Sequence, residues 1–105
     1  MTAQVSDNAE QHRYELALDG SVIGVSDYVM QGGDITFTHV EVDPAYAGKG
    51  LAAQLVRESL EDVRSRGLSV LPQCPYVRKF ISDNPHEYLS LVPHKARNDF
   101  GLPLE

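Results

Sequence analysis

Residues 13–18 alternate, with Tyr14, Leu16 and Leu18 on one side and Arg13 and Glu15 on the other. That period of two predicts a half-buried strand. Asp19-Gly20 follows, a pair suited to a hairpin turn with positive φ. Residues 21–30 form a β-rich second strand, in which Gly24 marks a bulge or a close backbone approach. After the turn Gln31-Gly32-Gly33-Asp34, residues 35–42 make a third strand, so the first half of the chain reads as an antiparallel meander. The period then changes. Leu51, Ala52, Leu55, Val56, Leu60 and Val63 share one helical stripe, while Gln54, Arg57, Glu58, Glu61 and Arg64 face away. Arg57/Glu61 and Asp62/Arg66 are spaced as i,i+4 pairs, and Gly67 suits the left-handed residue that ends a helix. Residues 68–71 are apolar. Arriving after a helix, they pair most simply in parallel with the third strand through a right-handed crossover, and Pro72 ends them. Residues 76–82, with Val77, Phe80 and Ile81 on one face, and residues 86–91, opened by Pro85, read as short helices. The fold class is therefore α+β. Residues 1–11 are polar and expected to fray. Residues 93–105 have no period, and Phe100, Leu102 and Leu104 either pack along the domain or sit in a flexible tail.

The length of 105 residues makes residues 1–105 a single domain. A net charge of −6 and a pI of about 5.1 argue against a nucleic-acid binder, which needs basic groups to displace counterions from phosphates. A lone cysteine excludes an internal disulfide framework and fits a reducing compartment. The start, MTAQVSDNAEQHR, lacks the basic-then-apolar order of a signal peptide. No apolar run approaches the roughly 18–20 residues of a membrane span. The expectation is a soluble, cytoplasmic protein.

The candidate chemistry centres on the junction of third strand and long helix, where Asp43-Pro44 leads to Gly48-Lys49-Gly50. A glycine turn at a helix N-terminus offers free backbone N–H groups and the positive end of the helix dipole to an anion. Gly48 and Gly50 permit close approach, or simply make a tight turn; Lys49 adds charge to a bound anion or is a solvated turn residue. A nucleotide-binding P-loop is a poor rival, because it needs Ser or Thr after its lysine and Lys49 is followed by Gly50. His39 and Glu41, two apart on one strand, share a face and are candidates for proton transfer. Cys74 is a candidate nucleophile if its thiolate is stabilised, and otherwise a small buried hydrophobe. Asn84 and Tyr88 lie four apart across Pro85; Asn84 can also cap a helix and Tyr88 can pack.

These residues resemble the GNAT N-acetyltransferase superfamily. Its acetyl-CoA motif, Gln/Arg-x-x-Gly-x-Gly/Ala, aligns with Ala47-Gly48-Lys49-Gly50-Leu51-Ala52, although Ala47 lacks the long polar side chain of the first position. The runs FTHVEV, LPQCPYV and NPHEY add a likeness to the small single-domain, YjdJ-like subgroup of N-acetyltransferase domain-containing proteins, over roughly residues 14–91. The resemblance implies a small GNAT-like fold that binds acetyl-CoA or CoA. It places the pyrophosphate on residues 47–52 and the pantetheine arm along Val40, Glu41 and Val42, with residues 68–71 as the opposite wall. It also implies Glu41 as a base, Cys74 near the CoA sulfur, and Asn84 and Tyr88 in contact with CoA or protonating its sulfur. The implied activity is transfer of an acetyl group to an amine on a small molecule or peptide, by a monomer or weak homodimer, without metal or nucleic acid. The rival is a non-catalytic module that binds CoA or acyl-CoA.

Overall fold

The structure, a computed structural model, describes residues 3–104. Five strands, β1 (Ala3–Asn8), β2 (Arg13–Leu18), β3 (Ser21–Gln31), β4 (Asp34–Val42) and β5 (Ser69–Pro72), form one sheet in that order. Successive strands are antiparallel except β4 and β5, which run parallel across the helix α1 (Leu51–Ser65). The short helices α2 (Pro75–Asp83), α3 (Pro85–Tyr88) and α4 (His94–Arg97) complete the chain. This is the mixed α+β arrangement that the periodicities predict. Asp19 and Gly20 turn β2 into β3 with φ of 53° and 82°.

The apolar stripe of α1 supplies Leu55, Val56, Leu60 and Val63 to the core, where they meet Tyr14, Leu16, Tyr28, Ile35, Phe37 and Val70 of the sheet. Val77 and Ile81 of α2 join the same core. Val77 lines an interior gap with Val56 and Leu60 of α1 and Phe37 of β4, so both helices cover the same face of the sheet. The i,i+4 pair Asp62/Arg66 forms at 3.4 Å, whereas Glu61 pairs with Arg64 rather than Arg57.

At the start of the chain one expectation is corrected, and at its end the packing alternative holds. Residues 3–8, read as frayed, form the edge strand β1, paired with β2 from Ala3↔Leu18 to Asn8↔Arg13. A side-chain network fixes it from below. Asp7 accepts hydrogen bonds from the Tyr28 hydroxyl at 2.5 Å and from Arg66, the C-cap of α1, at 3.1 Å, and Asp62 accepts one from the Tyr14 hydroxyl at 2.6 Å. The tail beyond residue 93 also packs. Leu102 is buried, its amide bonds to the Arg97 carbonyl at 2.9 Å, and Phe100 lies under the Arg78 guanidinium; Leu104 stays exposed. Residues 1, 2 and 105, part of the same expectation, lie outside the described residues.

Two bulges shape the part of the sheet that matters for function. One is in β3, where Ile23 is the extra residue between Leu16↔Gly24 and Ala17↔Val22. The close approach expected at Gly24 is present: a Cβ there would lie 3.1 Å from Val42 Cγ2. The other is in β4, where Thr38 is the extra residue between Tyr28↔Phe37 and Asp27↔His39. An added residue re-phases the strand beyond it. Val40, rather than His39, therefore returns to the helix-covered face of Phe37.

Candidate functional site

The parallel pairing of β4 with β5 stops at Phe37↔Pro72. One further bond, from the Cys74 amide to the Phe37 carbonyl at 2.8 Å, closes the junction, and α2 then leads the chain away. Residues 39–42 thus have a ladder partner only on the β3 side among the described residues. A sheet that opens in this way leaves backbone donors and acceptors for an extended ligand.

The opening runs into the glycine turn. Gly48 and Gly50 have φ of 79° and 73°, a left-handed geometry that side chains resist. Gly50 is the N-cap of α1 and provides no side-chain cap. The first amide of α1 to find its helical partner is that of Gln54, on the Gly50 carbonyl at 3.1 Å. The amides before it point out of the helix start, where the dipole favours negative charge. A cleft of about 300 Å³ lies there, lined by Val42, Tyr46, Ala47, Gly48, Gly50, Leu51, Ala52, Ala53 and Tyr76. A Cβ on Gly48 or Gly50 would meet no protein atom within 4 Å. These residues fit the diphosphate of CoA: unencumbered backbone, a helix start, and no carboxylate lining the cleft.

Of the predicted binding residues, Val42, Ala47, Gly48, Gly50, Leu51 and Ala52 come together on this cleft. Lys49 is exposed within the turn, and Val40 is half-buried two residues back along β4. Glu41 and His39 lie on the opposite face of the strand, 71% and 59% exposed, with His39 Nε2 3.9 Å from Glu41 Oε1. Glu41 lines a separate cleft of about 390 Å³ with Val22, Ile23, Gly24, Val25, Asp43 and Pro44. The end of β4 is thus a partition, with a cleft on either side.

Three of the predicted site residues are held in the packing of the fold. Cys74 is only 4% exposed and belongs to the core, because its amide is drawn into the end of the sheet and its side chain packs with the surrounding apolar groups. It is not an accessible thiol at the mouth of the gap. Tyr88 is buried against Phe80, and its hydroxyl donates to Glu61 at 2.9 Å. At about 1.5 Å per residue, Glu61 lies about 16 Å along α1 from Gly50, far from the glycine turn. Burial, reinforced by that carboxylate, pushes the Tyr88 hydroxyl up to about 12. Asn84 donates to the Phe80 carbonyl at 2.8 Å and its own carbonyl receives the Tyr88 amide at 3.1 Å, so it joins α2 to α3 structurally.

Tyr46 and Tyr76 line the glycine-turn cleft without having been singled out in the sequence. For Tyr76 a signal existed: it falls off the buried stripe of α2 formed by Val77 and Ile81.

The family model described as GCN5-related N-acetyl-transferase matches residues 13–91. Protein NATD1 of Danio rerio is 27% identical over 95 residues, covering 87% of this chain and 86% of that protein. A GNAT family acetyltransferase of Brucella melitensis, solved in complex with acetyl-CoA, is similar at 26% identity with a TM-score of 0.52, over 69% of this chain and 54% of that one. An N-acetyltransferase of Staphylococcus aureus Mu50 gives 0.55 at 18% identity, over 73% and 54%, a likeness of fold alone. The chain spans about half the length of these two solved acetyltransferases. The family match begins with β2 and ends with the turn after α3, so it contains the opened strand pair, the glycine turn and the start of α1 together: the chain belongs to the GCN5-related N-acetyltransferase family.

Proposed function

We propose that this protein binds acetyl-CoA in the glycine-turn cleft and transfers the acetyl group to an amine that approaches from the other side of β4. The observation that carries this reading is the parting of β4 from β5 after Phe37↔Pro72, directly beside an uncapped helix start with two left-handed glycines. When bound, the cofactor supplies an acyl group activated as a thioester.

The amides of residues 48–52 hold the diphosphate, and the free edge of β4 at Val40 and Val42 pairs with the amide-bearing arm. Lys49 adds positive charge at the turn. Amines are protonated near neutral pH, so an attacking amine must first lose a proton. Glu41 is the acceptor for that proton, directly or through one water. It lies in the cleft on the far side of the partition and is solvated, so its carboxylate is available. His39, 3.9 Å from Glu41, stands beside this path and passes the proton to solvent. Cys74 forms no covalent link with the acetyl group, because its thiol is enclosed in the core.

The test is acetyl-CoA with a panel of polyamines and peptide amines, followed by mass of the acetylated product and release of CoA. We expect turnover with at least one acceptor. Glu41→Gln should lower kcat by about 10²-fold or more, the usual share of a general base, with CoA affinity retained. Cys74→Ala should keep substantial activity. Tight CoA binding with no turnover across the panel would leave only a CoA-binding module, and absence of CoA binding would remove both readings.

A further inference from the structure

The cleft that holds Glu41 is built on the bulge in β3. Ile23, the extra residue there, accepts a hydrogen bond from the Asp43 amide at 2.7 Å. Oδ1 of Asp43 accepts the Ala45 amide at 2.9 Å, while its Oδ2 takes no hydrogen bond among the described residues. Backbone and side chain together fix Asp43 at the end of β4, with one carboxylate oxygen left over. Glu41 lines the same cleft two residues earlier, about 6–7 Å back along the strand. Its charged neighbour within 4 Å is His39, at 3.9 Å. The remaining walls include the apolar Val22, Ile23, Val25 and Pro44, and no lysine or arginine lines the cleft among the described residues. Val22 is 49% exposed, an apolar side chain left bare. The cleft thus presents two carboxylates beside aliphatic carbon, in a volume of about 390 Å³ that suits a small molecule.

We propose that the acceptor taken by this cleft is a short alkyl diamine, with one ammonium reacting beside Glu41 and the other held by Asp43. The proposal rests on the transfer reading above and names the acceptor class for that same cleft. The two carboxylates have different tasks. Glu41 is neutral once it takes the proton of the attacking amine, so it cannot also anchor a cation through the reaction. Asp43 takes no proton and keeps its charge throughout, so it is the group that holds the spectator ammonium. The carbon chain between the two nitrogens lies on Val22, Val25 and Pro44, where its burial is favourable and water is displaced. As the nitrogen bonds to the acyl carbon, the carbon–sulfur bond breaks. Of the two protons that the reacting ammonium gives up, one leaves through Glu41 and the other ends on the departing sulfur. A monoamine satisfies the chemistry but leaves Asp43 without its cation.

Steady-state kinetics of the full chain at saturating acetyl-CoA test this, with butylamine compared against propyl, butyl and pentyl diamines. At least one diamine should exceed butylamine in kcat/KM by about fivefold, more than its second amine alone accounts for. The difference should lie in KM and shrink as salt rises. Asp43→Asn keeps an oxygen for the Ala45 amide but carries no charge, so it should remove the preference by raising KM for the diamine. Val22→Lys, which sets a competing ammonium in the cleft without touching a carboxylate, should do the same. Equal kcat/KM for butylamine and every diamine would overturn the proposal while leaving acetyl transfer intact. So would a preference that survives Asp43→Asn, or faster turnover of an end-blocked peptide carrying two lysines. CoA binding without turnover of any amine would overturn the transfer reading and this proposal with it.

Discussion

A pair of glycines at the two ends of α1 allows the diphosphate assignment to be tested against its own control. Gly50 precedes the helix with φ of 73°, Gly67 follows it with φ of 71°, and a Cβ at either meets nothing within 4 Å. Valine at either position should therefore meet the same backbone penalty, about 1–2 kcal/mol for an L-residue held in the left-handed region. In a domain of this size each kcal/mol moves Tm by about 4–8 °C, so both variants should melt about 5–15 °C below wild type without ligand. They should part company when CoA is added. At 100 times Kd, a ligand that binds only the native state adds about 2.7 kcal/mol, which predicts a rise in Tm of about 10–20 °C. Gly67→Val, at the far end of the helix, should keep that rise in full. Gly50→Val should lose most of it, because its methyl groups occupy the cleft where the diphosphate meets the backbone. The measurement is thermal melting of both variants and wild type over a CoA titration. An equal CoA-dependent rise in the two variants would refute the assignment of the diphosphate to the glycine turn, since backbone strain is matched and only the blocked cleft differs.

Two further outcomes follow from the packing and the buried tyrosines. Leu55 is fully buried against the sheet, so Leu55→Ala should cost about 2–5 kcal/mol in urea unfolding, and a loss below about 0.5 kcal/mol would mean that α1 does not pack as described. Tyr28 and Tyr88 are each raised from 10 to about 12, by burial first and then by their hydrogen bonds to Asp7 and Glu61. A raised folded value means that the unfolded chain releases these protons first. The stability they contribute is complete below pH 10 and is lost as pH rises through about 12. Unfolding measured from pH 8 to 12 should steepen above pH 10, and Tyr88→Phe should flatten that slope; an unchanged slope would place the tyrosine hydroxyls in solvent.

Much of the fold was legible because its signals are local. Alternation in β2, the β-rich runs of β3 and β4, the helical stripe of α1, the turn residues Asp19-Gly20 and Gly67, and the crossover to β5 each depend on neighbours within a few positions of the chain. The same holds for the cleft at the glycine turn, since Ala47, Gly48, Gly50, Leu51 and Ala52 are near neighbours in sequence as well as in space. The rest depended on partners far along the chain. β1 carries only Ala3 and Val5 as apolar residues, too few to announce a strand; Asp7 is held by Tyr28 and Arg66, 21 and 59 positions away. Tyr88 has the spacing of a site residue, but its hydroxyl is taken by Glu61, a contact that exists only once α3 docks on α1. Cys74 reads equally as nucleophile or core residue until the end of β5 ties its amide to Phe37. The bulge at Thr38 leaves no mark in the run FTHVEV, yet it decides which side of β4 faces the helices and which carries His39 and Glu41. A chain's periodicity tells which residues share a face, but which face is buried, opened or opposed is settled by the docking of distant elements, whose packing energies outweigh local preference.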